Sequence, residues 1–530
     1  MRHFFSNKTA YIIFFVMISV QMLCYNYIDY IQMEPRSLHS WRQSDCLSFA
    51  LNFYNGQTTF AAPGVNNLGI TGDGKIASDF PIIQYLVAQI WMVTGVSTPI
   101  FRLFDLFFLV VGLLYIYKLY CYWFKDKNWL ALVMTGIIFT STILAYYGPT
   151  SLSDIQALGL SCAAFYYFIL WLDKKKKLDL GIALFLFAFA GLLKMSSAFI
   201  FAIALSYLLV RILFGNKEDK KGLLTFYTFV VLLLPFLPWI AWYSHVHHYN
   251  QVHPNEFFLI GILPIWKLTH DQINYTIARL LGELMPFALN IAVLFVLFIA
   301  LGAWFLTGIK SFFTETYLRL LLPLLAFLSY IILFFEVFTV HDYYLLNMMP
   351  ILVIVLGLLI KYILEHQNSF FDHAAVQVSL VLLLILLTHQ TGVITRGRIE
   401  LKDWGYAPVA MTAEKYDFLK WNSYYDRSRY EVIEIIKEEE LAGLGIGKSQ
   451  KVMCLGDHTI NRSLYLIDRL GYTSFNVNID KAEEFIRTRK SQGLIDYLIL
   501  IEPDWLSKES LVPFLKNKVY EKGGTSIYKL

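Results

Sequence analysis

The chain has 530 residues, of which 57% are apolar, 17% aromatic and only 16% charged, with a formal net charge of +4. Soluble domains carry about 25% charged residues, so this composition excludes an ordinary water-soluble globule, and it also excludes disorder and collagen. Of the 84 charged residues, 43 lie in residues 1–392 and 41 in the much shorter stretch 393–530. We therefore predict a membrane domain over 1–392 and a soluble domain over 393–530.

Long apolar runs dominate the first of these two parts. A helix needs about 20 apolar residues to cross about 30 Å of hydrocarbon, and about eleven runs meet or approach this length. The run 81–96 is apolar but shorter, and it predicts a helix that lies at the membrane interface. The eleven predicted spans are 10–28, 99–122, 129–147, 152–172, 178–193, 195–214, 222–243, 285–307, 319–337, 343–363 and 374–392.

The lysines of the short loops predict the orientation of these spans. With the N-terminus inside, alternating loops place Lys125, the run 174–177, Lys220, Lys310 and Lys361 on the cytoplasmic side, where positive charge is retained. We therefore predict a multi-pass membrane protein with a cytoplasmic N-terminus. The other side then holds a long first external loop (29–98), the loop 244–284 and the C-terminal domain, and we expect function there.

The C-terminal domain has the pattern of an extracytoplasmic α/β fold. Residues 451–455 and 497–501 are apolar runs typical of buried strands, and 480–490 has helical spacing, as does 459–470. Residues 519–530, with Gly523 and Gly524 in their middle, predict a closing hairpin. No glycine-rich phosphate loop precedes either helix, so nucleotide binding is not supported.

The first external loop contains the sequence from His39 to Asp45, which brings a carboxylate, a guanidinium and an indole close together. Asp45 is a candidate general base there, beside Arg42 and Trp41. An equally acceptable interpretation is that Arg42 and Asp45 form an i,i+3 ion pair at the start of an amphipathic helix.

Further charged residues fall near the predicted external ends of spans. Asp154 opens the fourth span, where it is either a second functional carboxylate or an acid favoured by the helix dipole. Lys194 stands between two apolar runs and Arg102 near the end of the second span, and a cation there must snorkel or pair with an anion. Lys75 lies in a glycine-rich stretch of the first external loop.

The tenth span opens with His341, Asp342, Tyr343 and Tyr344. Tyrosine pairs at such a place often form the aromatic belt of the interface, but the histidine and the carboxylate are less easily explained in that way. The external histidines His245, His247, His248 and His253 form a candidate metal tract, although neither a carboxylate nor a cysteine completes a ligand set. An anionic, membrane-borne partner such as a lipid-linked phosphate suits these scattered cations.

Several motifs, taken in order, resemble the GT-C glycosyltransferases over residues 8–365. This superfamily consists of integral membrane enzymes that use polyprenyl-phosphate sugars, and the resemblance is to the group that contains protein O-mannosyltransferases and the aminoarabinose transferases of lipid A. Residues 456–466 are similar to the extramembrane domain of some bacterial members. The motifs are the first-loop acid Asp45, the segment 79–85, Ser153 and Asp154, the segment 191–194, and 341–344 with Pro350.

The resemblance implies a GT-C fold with Asp45 as the general base and Asp154 in a supporting role. It also implies that the protein lies in a bacterial inner (plasma) membrane. Two departures from the family stand out: Cys46 replaces the second acid that many members carry, and Asp79 lies closer than Lys75 to the position of a family lysine. Candidate ligands of the donor phosphate are Arg42, Lys75, Arg102, Lys194 and His341, and candidate contacts to the substrate are Trp41, Asp342, Tyr343 and Tyr344.

The predicted function is therefore inverting transfer of a sugar from a polyprenyl-phosphate donor to an extracytoplasmic acceptor. The acceptor is a protein, a lipopolysaccharide or another glycan, and no nucleic acid is involved. No cofactor is required, because the donor already carries a good leaving group, and no ligand motif supports a divalent metal. The alternative is a lipid-linked oligosaccharide flippase or other transporter, which predicts ionisable residues at mid-membrane depth in broken helices.

Overall fold

The computed structural model describes residues 7–255, 257–258, 261–308, 314–367, 369–400, 429–477 and 479–530. A large helical bundle is followed by a small mixed sheet, as the sequence predicts. We label the helices α1 to α22: Asn7–Cys24, Tyr27–Ile31, Ser40–Tyr54, Ile82–Thr94, Thr98–Phe124, Asn128–Phe139, Thr142–Tyr147, Ser153–Lys174, Lys177–Leu193, Ala198–Phe214, Lys217–Leu223, Phe226–Leu232, Phe236–Val252, His270–Arg279, Met285–Ala288, Ile291–Gly308, Glu315–Leu333, Met349–His366, Ala374–Glu400, Glu438–Gly443, Arg462–Leu466 and Ala482–Ser491.

Seven helical segments of the described chain are long and apolar enough to cross a membrane. They coincide with seven of the eleven predicted spans, so the chain is a multi-pass membrane protein, but the count of eleven is not confirmed. The other four predicted runs also form helices, which are α1, the interrupted pair α6 and α7, α9 and α16. The seven segments are Thr98–Phe124, Ser153–Lys174, Met195–Phe214, Phe226–Val252, Glu315–Leu333, Asp342–His366 and Ala374–Ile399.

The predicted span 129–147 is broken between α6 and α7 by polar residues. Thr140 ends α6, and its carbonyl oxygen accepts hydrogen bonds from the Thr391 hydroxyl at 2.6 Å and the Asn290 amide at 3.2 Å. Ser141 then caps α7. A helix can break inside a bundle only where neighbouring side chains satisfy the freed backbone groups, and Thr391 and Asn290 do so here.

The predicted interfacial helix is α4, which has 13 residues. At 1.5 Å per residue it is about 20 Å long, too short to cross the hydrocarbon core. Its placement at the interface stays a prediction.

The C-terminal sheet has five strands: β1 (Val452–Leu455), β2 (Gly471–Thr473), β3 (Tyr497–Leu500), β4 (Lys518–Lys522) and β5 (Thr525–Lys529). Their order is β2-β1-β3-β5-β4, with β2, β1 and β3 parallel and β4 and β5 antiparallel to their neighbours. Strands β1 and β3 and the β4–β5 hairpin confirm the prediction. The hairpin turns at Gly523 and Gly524, which both have positive φ, as a two-residue turn of this kind requires.

Helix α19 continues to Glu400, past the predicted end of the last span at 392. The extra turns are fixed by Arg398, whose side chain is buried and lies 3.1 Å from the Asp342 carboxylate. The domain boundary after residue 392 stays a prediction, because residues 401–428 lie outside the described chain.

The first external loop and the C-terminal sheet are joined through their backbones. Asn67 forms a parallel bridge with Gly471 of β2, and the Leu68 amide donates to the Gly471 carbonyl at 2.8 Å. A Cβ atom at Gly471 would lie 1.8 Å from the Val452 carbonyl oxygen, so only glycine fits between the neighbouring strands. This junction brings α21 against α3, the helix that carries Trp41, Arg42 and Asp45.

Candidate active site

A cavity of about 310 Å³ lies where the first external loop meets the ends of α9, α13 and α17. One part of its wall is charged, and most of the rest is aromatic and aliphatic. Met195 and Ile262 on its rim are both more than 40% exposed, so the cavity opens toward the surroundings of the bundle. The lining residues are Trp41, Arg42, Ser78, Asp79, Lys194, Met195, Ser196, Tyr243, Val246, Phe257, Phe258, Gly261, Ile262, Phe334, His341, Tyr343 and Tyr344.

Two cations on the wall converge on one carboxylate. Arg42 Nη2 donates to Asp79 Oδ2 at 3.2 Å, and Lys194 Nζ lies 3.7 Å from the same oxygen. The Ser153 hydroxyl also donates to Oδ2, at 3.0 Å. The sequence predicts Arg42 and Lys194 as phosphate ligands, and the structure brings these two together.

Lys194 is fixed from behind by Asp154. It follows the last residue of α9, and its Nζ lies 3.6 Å from Asp154 Oδ1, which also accepts from the Asn347 amide at 2.9 Å. Burial disfavours the charged form of Lys194, but Asp154 and Asp79 outweigh this effect and raise the pKa of the amine. Asp154 therefore lies behind the wall, where it keeps Lys194 charged.

An aromatic corner flanks these charges. The indole of Trp41 donates to Nδ1 of His39 at 3.2 Å, and the rings of Trp41, His341 and Tyr343 lie edge to face or tilted, with centroids 5.4 to 6.4 Å apart. Burial lowers the pKa of His341 to about 3, and nearby cationic groups add to this effect. His341 is thus neutral at neutral pH, and its buried Nδ1 atom has no hydrogen-bond partner among the described residues. The sequence predicts contacts to substrate from Trp41, Tyr343 and Tyr344, and all three line the cavity.

Asp342 does not line the cavity, although the sequence predicts that it contacts substrate. Its carboxylate is buried, where it lies 3.1 Å from Arg398 and 3.2 Å from Nε2 of His39 and accepts a hydrogen bond from Tyr147. These contacts hold the aromatic corner from behind, which makes Asp342 a structural support in this conformation.

Asp45 is likewise absent from the cavity wall. It lies in α3 one turn after Arg42, is fully buried, and accepts a hydrogen bond through Oδ1 from the Asn461 amide of the C-terminal domain at 2.8 Å. Its Oδ2 atom is buried without a partner among the described residues. Burial raises the pKa of Asp45 to about 7, and the opposing effects of Arg42 and Asn461 are smaller.

Two predicted phosphate ligands, Arg102 and Lys75, also lie away from the cavity wall. Arg102 is fully buried, and its guanidinium donates to the carbonyl oxygens of Met33, Glu34 and Pro149 and to the side chain of Gln43. These contacts make it a clamp between the first external loop and the bundle. Lys75 lies in the loop, in a bridge with Gly64.

The external histidines are spread along α13 and its C-terminal end, and several have protein partners. His245 lies 2.8 Å from the Ala61 carbonyl oxygen, and His253 pairs with Asp73 at 2.7 Å. Over the described chain, no three His, Cys, Asp or Glu residues come close enough to hold a metal ion.

Sequence reasoning did not single out Asp79 as a site residue. It appears in the segment 79–85 only as a neighbour of the position of a family lysine. The usable signal was an acid placed directly before an apolar helix too short to span, since such an acid lies at the membrane surface. Nothing local reveals that Arg42 and Lys194, 37 and 115 positions away in the chain, meet it.

The chain is similar to known proteins in part of its sequence and in its fold. Residues 78–242 match the family model described as dolichyl-phosphate-mannose-protein mannosyltransferase. No curated protein sequence matches the chain.

Two crystal structures of ArnT from Cupriavidus metallidurans share the fold, each at 12% sequence identity and a TM-score of 0.57. The match with the apo structure covers 99% of this chain and 98% of the ArnT chain. The match with the structure that holds undecaprenyl phosphate covers 97% of each chain.

Proposed function

We propose that this multi-pass membrane protein, which has the GT-C fold, is a glycosyltransferase that takes its sugar from a polyprenyl-phosphate donor. The family model over residues 78–242 and the shared fold indicate a glycosyltransferase. The observation that carries the donor assignment is the convergence of Arg42 and Lys194 on one cavity whose remaining wall is mostly apolar and aromatic, apart from Asp79 and two serines. A phosphate attached to a long apolar chain needs cations for the phosphate and apolar surface for the chain.

The cavity offers a separate place for each part of the donor. Arg42 and Lys194 suit the phosphate, since guanidinium and ammonium groups form charge-assisted hydrogen bonds with it. Phe334, Ile262 and Met195 provide apolar surface for the first isoprene units, and the latter two are exposed at the rim. The undecaprenyl phosphate bound in a structure of the same fold supports a partner of this class.

The proposed reaction is an inverting displacement at the anomeric carbon. The oxygen or nitrogen of the acceptor forms a bond to this carbon while the bond to the phosphate oxygen breaks on the opposite face, and the electron pair leaves with the polyprenyl phosphate. Arg42 and Lys194 stabilise the charge that grows on that phosphate, and a carboxylate of the first external loop accepts the acceptor's proton. The neutral ring of His341, with its unpartnered Nδ1 atom, is available for a hydrogen bond to the sugar or the phosphate.

The transporter alternative is less well supported. It requires ionisable residues at mid-membrane depth in broken helices. The break between α6 and α7 is instead satisfied by the uncharged side chains of Thr391 and Asn290. Arg42 lies in the first turn of α3, and Lys194 directly follows the last residue of α9.

The test uses the purified full-length chain in detergent. We expect it to bind undecaprenyl phosphate. We also expect it to transfer sugar from at least one member of a panel of undecaprenyl-phosphate sugars. The acceptor in this assay is an envelope fraction from a strain that lacks the gene. R42A and K194M should each weaken binding of undecaprenyl phosphate at least tenfold. K75A is the matched control, because it removes a predicted phosphate ligand that lies outside the cavity wall. Unchanged affinity in both cavity variants would refute the donor assignment.

A complementary experiment identifies the sugar and the acceptor. Mass spectrometry of envelope glycans from the deletion strain should show a product that lacks one sugar residue. The missing residue names the donor sugar, and the molecule that lacks it names the acceptor as protein, lipopolysaccharide or another glycan. An unaltered glycan profile would argue against transfer at this face.

A further inference from the structure

We propose that Asn461 of the C-terminal domain is a positioning residue for Asp45, and that it orients this carboxylate to take the acceptor's proton. The proposal rests on the proposed glycosyl transfer, with Asp45 as its base. Asn461 directly precedes α21, and its side-chain amide donates to Asp45 Oδ1 at 2.8 Å. Both side chains are fully buried, so water does not compete for this contact. The membrane domain thus supplies the carboxylate, and the C-terminal domain supplies the group that orients it.

The side chain of Asn461 is fixed at both of its polar atoms. Its Oδ1 atom accepts from the backbone amide of Asn67 at 3.0 Å, so its nitrogen is the atom that faces Asp45. Asn67 is itself held, because its side chain donates to the Ile460 carbonyl oxygen at 2.8 Å and to the Asn476 side chain at 2.7 Å. An asparagine that is bound through both its oxygen and its nitrogen cannot flip without losing both contacts, which makes it a rigid support.

The two oxygens of Asp45 have different surroundings. Oδ1 accepts from Asn461, whereas Oδ2 is buried and has no hydrogen-bond partner among the described residues. A buried polar atom without a partner costs free energy, and in native proteins a catalytic role is one reason for such an atom. Because a carboxylate is planar, the bond that fixes Oδ1 also limits where Oδ2 lies. Oδ2 is therefore the oxygen that takes the proton.

Asp45 lies close to the cavity, although it is not part of the wall. It follows Arg42 by three positions in α3, and residues at this spacing lie on the same face of a helix. Arg42 lines the cavity, and the charges of Arg42 and Asp45 affect each other's pKa. Asp79 differs, because its Oδ2 atom already pairs with Arg42 and Lys194. A base acts directly or through one water, and its catalytic hydrogen bonds often form only with bound substrate, so a place one turn behind the wall is compatible with this role.

The proton step has a defined course. As the oxygen or nitrogen of the acceptor forms its bond to the anomeric carbon, its proton passes to Asp45 Oδ2, directly or through one water. The bond between the same carbon and the phosphate oxygen breaks, and its electron pair leaves with the polyprenyl phosphate. Asn461 contributes a hydrogen bond that favours the charged carboxylate, which is the form that takes a proton.

The test compares N461A with N55A in the full-length chain. Asn55 donates to Asp468 at 2.8 Å across the same junction, so N55A removes a hydrogen bond of the same kind that does not involve Asp45. We expect N461A to lower kcat at least about tenfold, as the loss of an orienting group does elsewhere. Its affinity for undecaprenyl phosphate should not change, because Arg42 and Lys194 are untouched. N55A should alter neither quantity.

The pH profile separates positioning from a merely structural role. Burial raises the pKa of Asp45 to about 7 with a contribution from Asp457, while Arg42 and Asn461 oppose this effect. Removal of the amide therefore raises the pKa further. Because the base must be deprotonated, the acidic limb of kcat/KM should move to higher pH in N461A and stay in place in N55A. The position of the limb does not depend on how much enzyme is folded, so partial unfolding does not imitate the shift.

The double variant D45N/N461D provides an independent check. It keeps a hydrogen bond between positions 45 and 461 with the direction reversed, but it moves the carboxylate to the C-terminal domain. We expect a thermal unfolding midpoint near that of the wild type and a kcat no higher than that of D45N.

The proposal is overturned if the acidic limb of N461A stays at the wild-type pH, or if D45N/N461D turns over as fast as the wild type. Failure of the proposed function has a different signature, since the wild type itself would then transfer no sugar from any donor of the panel.

Discussion

Asp45 and Asp79 lie in the same external loop, and the fold places them in opposite environments. Asp45 is buried at the junction with the C-terminal domain, where it has one amide partner and, among the described residues, no cation in hydrogen-bond contact. Asp79 is partly open to the cavity and has two cations and a hydroxyl group on a single oxygen. The comparison shows that membership of the same loop does not determine whether a carboxylate lies on the cavity wall.

The largest expected effect is on the cavity side, at Lys194. K194M should lower kcat/KM by at least about 100-fold, about 3 kcal/mol, because it removes a cation that stabilises charge developing on the leaving phosphate. K194R keeps the charge and should retain most of the activity. Steady-state kinetics over donor concentration measure both variants, and an active K194M would remove the electrostatic role given to this cavity.

A substitution at Gly471 tests the junction between the first external loop and the C-terminal sheet. This residue does not line the cavity. G471A forces a Cβ atom against the Val452 carbonyl oxygen, and such overpacking costs about 1–3 kcal/mol. We expect faster amide exchange in β1 and β2 by hydrogen-exchange mass spectrometry. G443A, at a position with nothing within 4 Å of the added atom, is the matched control. Equal exchange in the two variants would contradict the tight junction described above.

A smaller effect is expected from the pH dependence that Asp45 imposes on stability. Its pKa is about 7 in the folded chain, against 3.8 for an unperturbed aspartate, so the folded state keeps a proton that the unfolded state releases between these values. Stability should therefore fall as pH rises through this window, by about 2 kcal/mol between pH 5 and pH 7. Thermal unfolding midpoints should show this slope in the wild type and a reduced slope in D45N. Equal slopes would place Asp45 in a less buried environment.

The smallest effect concerns His341, whose pKa burial lowers to about 3. The ring is then neutral throughout pH 5–9, so its ionisation should leave no inflection in the pH profile of kcat/KM over that range. H341Q should change the height of the profile without changing its shape. Loss of an inflection near pH 6 in H341Q would show that the ring titrates in the working enzyme.

Local sequence patterns predicted much of the fold. Apolar runs located seven helical segments long enough to span, and the Gly523–Gly524 pair located the hairpin, because hydrophobic periodicity and backbone freedom act over a few residues. The short strand β2 and the break after Thr140 were not predicted. Both depend on distant partners, since β2 pairs with β1 and with the first external loop, and Thr140 is satisfied by Thr391.

The candidate site was predicted in part for the same reason. Trp41, Arg42, Lys194, His341 and the two tyrosines at 343 and 344 were identified as unusual charges and aromatic groups near span ends, and all of them line the cavity. The sequence could not distinguish them from Arg102 and Lys75, which have the same side-chain chemistry and lie outside the lining.

The sequence by itself determined that this protein lies in a membrane, which side chains are costly there, and where short-range elements begin and end. The tertiary structure alone decided which of those costly charges meet. Asp79, Arg42 and Lys194 come from three separate segments, and their pairing depends on helix packing and on the docking of the first external loop against β2. Burial and charge pairing arise from contacts between distant residues, and these contacts place Asp79 on the cavity wall and Asp45 behind it.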